Sequence, residues 1–402
     1  MPRLLHTADW HLGRRLEGRS RHAEQVAVLD EICEIAEREQ VDAVLIAGDV
    51  YDSYNPPAEA ESLYYSTIVR LVDGGRRPVI VIAGNHDSPD RLRASDPYGR
   101  ALGVVTLGYP DDVAEAFDCG EGKMACTGIG PSSLRLRLAS GESINVIPLP
   151  YPSEARLGRL LSERLDDEDA GRDYEQGVRR LMERAAAECF VEGGTNIVMS
   201  HLFLSGGQES ESERPIQVGG AHSVWPTTFP EGTSYVALGH LHRPQQFERP
   251  DGTVVRYAGS PLCYSFSEAG QEKGITIVDV AGGSAEVRTI PLTVGRRLVS
   301  RKGLQGVQEL ESFLGELPAD TWATFEVTLE EALGIGWVEE MHRNHPNILA
   351  PFFGYRQKEG EEPTGEPVSS LPVEEQFERF VRSKGEEPSD EVRRLFGKII
   401  EG

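Results

Sequence analysis

Short apolar runs, each stopped by a polar cluster, set the rhythm of the first two-thirds of the chain. Leu4 to Ala8, Ala43 to Ala47, Val79 to Ala83, Thr195 to Ser200 and Tyr235 to Gly239 are each rich in aliphatic residues and too short for helices. Such runs predict strands buried on both faces. Between the first three lie two amphipathic helices. Over His22 to Gln40 the apolar positions Val26, Leu29, Ile32, Cys33 and Ala36 keep helical spacing. Over Ala58 to Val72 one stripe holds Ala60, Leu63, Tyr64, Thr67, Ile68 and Leu71, while Tyr65 and Val69 make a second apolar face. That second face exceeds what packing on one sheet requires and points to a subunit contact. Shorter strands are expected across 104–149, helices across 154–165 and 174–192, and further strands at 254–257, 274–280 and 285–291. Strands alternating with helices make a layered α/β plan, in which ligands bind where the strands stop.

At those stops the chain places Asp9-x-His11, Gly48-Asp49, Gly84-Asn85-His86-Asp87, His201 and Gly239-His240-x-His242. Residues two apart in extended chain face one side, so Asp9 with His11, and His240 with His242, can converge. Polar side chains at every strand terminus would each need a partner if buried, which argues for a shared site rather than five unrelated turns. Imidazole, carboxylate and amide without thiolate suit Mn²⁺ or Fe, with Zn²⁺ able to bind. The loop from Leu12 to His22 sets Arg14, Arg15, Arg19 and Arg21 against Glu17 alone. Beside a hydrolytic site it is a candidate phosphate clamp; otherwise it is a solvated loop. His6, His22, His222, His342 and His345 have no strand-end partner and read as structural or solvated, and Asp87 reads as a turn cap or as an orienter of the neighbouring ligands.

The rhythm changes after about residue 292. Residues 293–356 mix strands (323–329) with helices (305–314, 335–344) and read as a small α+β domain capping the main unit, 1–292. Residues 357–370 are Glu-, Pro- and Gly-rich and predict a linker. The tail, 371–402, predicts two short helices, one with Val373, Phe377, Phe380 and Val381 on a face, the other with Val392, Leu395, Phe396, Ile399 and Ile400. Two such helices cannot bury all that surface on each other, so a partner groove is expected.

Composition narrows the picture less. The net charge of −24 over 402 residues speaks against coating nucleic acid unaided, though not against local basic patches. Five scattered cysteines without a CxxC pair argue against a disulfide framework and for a reducing cytoplasm. Neither a signal peptide nor a membrane span is expected.

The ordered set of strand-end motifs resembles the calcineurin-like metallophosphoesterases from about Leu4 to His242. The resemblance implies a four-layer α/β/β/α sandwich with two metal ions. Asp9, His11, Asp49 and His242 would hold one, Asp49, Asn85, His201 and His240 the other, with Asp49 bridging. Two Mn²⁺ are implied, Mg²⁺, Fe or Zn²⁺ being alternative occupants, and His86 would protonate the leaving oxygen. The run His6 to Gly13, the small domain and the tail are similar to the DNA-repair nuclease branch, related to the meiotic-recombination nucleases of archaea and eukaryotes. That likeness implies a 3′–5′ exonuclease on duplex DNA ends and an endonuclease on single strands and hairpins, a homodimer working with a coiled-coil ATPase. Many of those relatives have His three residues after the bridging Asp, where this chain has Asp52. The serine/threonine phosphatases of the superfamily have Asp there, paired with the His of the Asn-His motif, so an Asp52–His86 dyad is expected, the other reading being that Asp52 caps the turn before Asn55-Pro56-Pro57. The alternatives are a small-molecule phosphodiesterase or phosphatase on the same metal core, and a catalytically silent scaffold.

Overall fold

The computed structural model describes residues 1–153, 157, 174–213, 223–356 and 373–383, together with 388, 389, 392, 393 and 396. Two sheets lie face to face. The first has six strands in the order Ser284–Pro291, Gly274–Ala281, Arg3–Thr7, Ala43–Ala47, Val79–Ile82 and Val104–Leu107. Its last four strands run parallel, while Gly274–Ala281 pairs antiparallel with both its neighbours. The second has eight strands, with Val254–Tyr257, Tyr235–Gly239, Thr195–His201 and Ser143–Leu149 parallel at its centre.

The apolar runs become the middle of the molecule because each strand has a neighbouring layer on both sides. Leu4, Leu45, Ile80 and Val278 of the first sheet share one core with Ile144, Val146, Ile197 and Tyr235 of the second. The opposite face of the first sheet is covered by His22–Arg38 and Ala58–Leu71, through Val28, Leu29, Ile32, Tyr64 and Ile68. The second sheet is covered by Tyr174–Cys189, through Val178, Met182 and Ala185. This is the four-layer arrangement. The expected helix at 154–165 falls, apart from Leu157, outside the described residues. Tyr65 and Val69 remain 41% and 55% exposed on their helix.

Residues 297–355 form three parallel strands, Arg297–Gln305, Thr321–Leu329 and Phe352–Tyr355, with helices Gly306–Glu316 and Ile335–Asn344. They enclose a core of their own around Leu310, Phe325, Val327 and Met341. Leu298, Trp322 and Leu349 pack on Leu16 and Phe266, joining this unit to the main one. The indole of Trp322 donates to Glu24 at 2.9 Å and lies under the Arg296 guanidinium. In the tail, Val373–Ser383 is helical and Phe377 stacks on Phe396 at 3.8 Å. Among the described residues no helix is long and apolar enough to cross a membrane.

Candidate active site

Parallel strands end together, so the polar stops of both sheets meet along one edge. Asp9 donates its main-chain N–H to Gly48 O, and His11 to Asp49 O, both at 3.0 Å. The sheets meet where the His240 N–H donates to Asp9 Oδ1 at 2.9 Å. Gly239 makes that approach possible, since a Cβ there would lie 1.9 Å from Ala47 O. Asp9, His11, Asp49 and His240 all have left-handed backbone, with φ of 55°, 43°, 49° and 108°. Non-glycine residues rarely adopt it, and such strain persists only where the surroundings enforce it.

The donor atoms fall into two clusters sharing a carboxylate. Ligand atoms of Asp9, His11 and His242 lie within 4.8 Å of one another, and so do those of Asp49, His201 and His240. His11 Nε2 and His242 Nε2 face each other at 2.9 Å. Asn85 Oδ1 sits 2.9 Å from His201 Nε2 and 3.1 Å from His240 Nδ1. Asp49 Oδ2 is 3.6 Å from His11 Nε2 and 3.3 Å from His201 Nε2, so it belongs to both clusters.

The charge pattern asks for a cation. Burial, helped by the Asp49 charge, holds the Asp9 carboxyl well above the usual range, because two buried carboxylates do not ionise together cheaply. Burial pushes His11 down to about 4 and His240 well below its ordinary value, leaving neutral imidazoles suited to a metal. Burial also opposes charge on His201, yet Asp49, Asp9 and the Ala47 carbonyl outweigh it and push His201 up to about 9. Its Nδ1–H donates to Ala47 O at 2.9 Å, so Nε2 is the atom turned to Asn85 and Asp49. Among the described residues, Asp9 Oδ2 and His240 Nε2 are buried without a hydrogen-bond partner. Orphaned donors, converging lone pairs and excess buried carboxylate fit a divalent cation.

His86, 4% exposed, has its ring 4.7 Å from that of His11. The atom of Asp52 in contact with His86 Nδ1 is its main-chain carbonyl oxygen, at 2.8 Å. The physical reason lies in the backbone: Asp52 N–H donates to Leu12 O at 3.2 Å, and the Asp52 side chain runs to His11 Nδ1 at 3.5 Å and Arg14 at 3.2 Å. His11, Asp52 and His86 nevertheless form a third group of ligand atoms within 4.8 Å.

The arginines separate. Arg14 and Arg15 line a cleft of about 540 Å³ with Gly13, Asp52, His86 and Glu211 to Glu213. Arg19 is exposed on the two-residue strand that pairs with Arg15–Leu16. Arg21 departs from the expected clamp. It is 1% exposed and holds Glu24 through two nitrogens at 2.6 and 2.8 Å and Cys263 O at 2.8 Å, and so braces the fold.

Asp87 caps more than a turn. Its carboxylate accepts from the N–H groups of Gly84, Val50 and Tyr51 at 2.9 to 3.1 Å, locking two ligand-bearing stops together. Ser212, Glu213, Glu268 and Lys273, which no strand-end motif contains, cluster behind His242. In the sequence the polar run 206–220 contains Ser212 and Glu213 without singling either out, and no motif marks Glu268 or Lys273.

A family model described as calcineurin-like phosphoesterase matches residues 2–244. Over 406 aligned residues the chain is 39% identical to a Bacillus subtilis protein named as the D component of the SbcCD nuclease, spanning 100% of this chain and 98% of that one. A Rhodobacter capsulatus protein of the same name is 42% identical over 296 residues, 72% of this chain and 69% of its own. A crystallised dimetal phosphatase from Danio rerio aligns over 73% of this chain and 99% of its own, at 13% identity and a TM-score of 0.39.

Proposed function

We propose that this chain, which belongs to the calcineurin-like phosphoesterases and within them to the SbcD family of nuclease components, hydrolyses DNA phosphodiester bonds with two divalent cations. The observation that carries the reading is the Asp49 carboxylate, within 3.6 Å of a nitrogen in each of two buried donor clusters. Only a carboxylate has two oxygens to divide between neighbouring ions. Asp9, His11, Asp49 and His242 would hold one ion and Asp49, Asn85, His201 and His240 the other, with Mn²⁺ best matched to this ligand set. The chemistry such ions supply is a water acidified towards neutral pH and charge compensation for the phosphate oxygens.

The chain's own groups do the rest. Arg14 and Arg15 line the cleft where a phosphate backbone would lie. A carbonyl can only accept, so His86 Nδ1–H donates to Asp52 O and orients the ring, and His86 would protonate the leaving oxygen. The small unit at 297–355, packed beside the Arg15 hairpin, would contact DNA flanking the cleft. The expected products are those of a 3′–5′ duplex exonuclease and a single-strand and hairpin endonuclease.

Assembly follows from the exposed apolar faces. Tyr65 and Val69 on Ala58–Leu71 would meet a second copy, and the tail from about residue 371 would dock on a coiled-coil ATPase of the SbcC type.

Hydrolysis of linear duplex DNA is to be compared with that of a chromogenic phosphodiester, both with Mn²⁺. Cleavage of both, lost in Asp49→Ala, is expected. Cleavage of the small ester alone would make the chain a small-molecule phosphodiesterase, and uptake of Mn²⁺ without any hydrolysis would make it a scaffold.

A further inference from the structure

Behind His242 a chain of hydrogen bonds runs into the protein through residues outside the strand-end motifs. His242 Nδ1 lies 2.6 Å from Ser212 Oγ, and Ser212 Oγ donates to Glu268 Oε1 at 2.7 Å. Glu268 is fully buried, and its other oxygen accepts from Lys273 Nζ at 2.5 Å. Lys273 also donates to the main-chain oxygen of His242 at 2.7 Å and to Ser260 Oγ at 3.1 Å. Each member is nine-tenths buried or more.

The direction of these bonds follows from what each group can do. Lys273 has only protons to give and an ionised Glu268 only accepts. Glu268 Oε1 also accepts from the N–H groups of Tyr264 at 2.9 Å and Ser265 at 3.1 Å, and with Lys273 on Oε2 both oxygens serve as acceptors. The Ser212 proton is therefore given to Glu268. The neighbouring hydroxyl, Ser210 Oγ at 2.6 Å, gives its own proton to Glu213 Oε2. Ser212 Oγ is left as an acceptor, and the group it accepts from is His242 Nδ1–H. That fixes one tautomer of His242, with the Nε2 lone pair turned to His11 Nε2 at 2.9 Å.

The same loop walls the cleft. Glu213 Oε1 accepts from His242 N–H at 2.7 Å, and Ser212 O accepts from Arg14 at 2.7 Å. Glu211, Ser212 and Glu213 face Arg14, Arg15 and His86 across the opening. The wall is fastened at one end to a donor of the Asp9, His11 and His242 cluster and at the other to the arginine placed for phosphate.

We propose that Ser212 is a positioning residue for the cation held by Asp9, His11 and His242, orienting the His242 imidazole through a relay anchored on Glu268. This rests on the two-cation reading above. Removing the relay leaves His242 free to rotate or change tautomer, so one ion weakens and its neighbour does not. Partners of this kind behind a metal-binding histidine typically tune affinity about 10–100-fold.

The test is Mn²⁺ titration of the full chain by calorimetry, with metal-free melting followed in parallel. Wild type is expected to take two ions. Ser212→Ala should weaken one of them about 10–100-fold while the other and the metal-free melting temperature hold. Its DNA cleavage should return towards wild type as Mn²⁺ is raised, which a misfolded or merely destabilised variant would not do. Ser212→Thr, which keeps the hydroxyl, should bind like wild type, and Glu268→Gln should weaken the same ion. Two ions at wild-type affinity in Ser212→Ala, or in Glu268→Gln should the alanine variant fail to fold, would overturn the proposal. A wild-type chain taking fewer than two ions would overturn the two-cation reading itself, and the proposal with it.

Discussion

Gly84 stands immediately before the ligand Asn85, and a methyl group there tests the site without touching a ligand. A Cβ at this position would lie 2.1 Å from Asp49 Oδ1, 2.4 Å from Asp49 N and 2.7 Å from Asp49 Cγ, whereas real contacts begin near 3.0 Å. The main chain of Asp49 is held, since its carbonyl accepts from His11 N–H and the next N–H donates to Asp87. Asp49 Oδ1 alone would need about 0.9 Å of relief, and the contact with the held Asp49 N forces residue 84 itself to shift, so the Asp49 carboxylate and the turn carrying Asn85 move apart. A misplacement of about 1 Å in a reacting constellation costs on the order of 10²-fold in rate. Forcing a methyl into a filled space costs about 1–3 kcal/mol in stability. The assay is kcat on linear duplex at saturating Mn²⁺, with a Mn²⁺ titration and thermal melting beside it. Gly315→Ala, on the exposed helix Gly306–Glu316 where a Cβ meets open space, is the control. It should gain about 0.4–1 kcal/mol and change no rate. A Gly84→Ala enzyme keeping half or more of wild-type kcat and both ions would refute the assignment of Asp49 as the shared ligand.

Further outcomes are expected. His86→Ala should lose about 10²–10⁴ in kcat with both ions still bound by calorimetry. Asp52→Asn should lose less, because the acceptor for His86 is a main-chain carbonyl that the substitution keeps; equal losses would mean that the Asp52 carboxylate acts directly. Burial and the Arg256 charge push His6 down to about 3, so it stays neutral when folded. Unfolded chain takes up that proton below about pH 6.5. The stability His6 contributes is thus complete above pH 6.5 and shrinks as pH falls towards 3, and the stability gap between wild type and His6→Gln in urea should narrow over that window. Tyr65→Glu with Val69→Glu should sediment as a monomer, and a chain cut near Lys358 should keep its ions but not co-purify with the ATPase; an unchanged dimer or a retained partner would discount the respective surface.

The strand-end residues were legible because a doubly buried strand leaves a signature that polar residues interrupt sharply. Asp9, His11, Asp49, Asn85, His201, His240 and His242 all sit at such interruptions, and parallel pairing brings them together without any long-range guess. Asp52 was harder. Its position three residues after Asp49 puts it beside His86, but only the backbone path brings its carbonyl onto His86 Nδ1. Arg21 looked like its neighbours in the loop, since nothing in the local sequence says that Cys263 and Glu24 close over it. The Ser212–Glu268–Lys273 relay was invisible for a related reason: Ser212 is 56 residues before Glu268, in a different segment from Glu268 and Lys273, and each is ordinary alone.

The placing of the first strand has a consequence for how the chain must be made. Arg3–Thr7 sits inside its sheet, pairing on one side with Ala43–Ala47 and on the other with Gly274–Ala281. During synthesis the second partner emerges some 270 residues after the first strand does. At about 5–20 residues per second the nascent chain waits roughly 14–54 s with that edge open. Through most of that interval His240 and His242 are also missing, so no cation can yet close the two sheets. An unpaired edge carrying Leu4 and Leu5 is adhesive towards other strands. The ribosome-bound intermediate, rather than the finished enzyme, is therefore the state in which this chain is most exposed to aggregation, and where a chaperone would matter most.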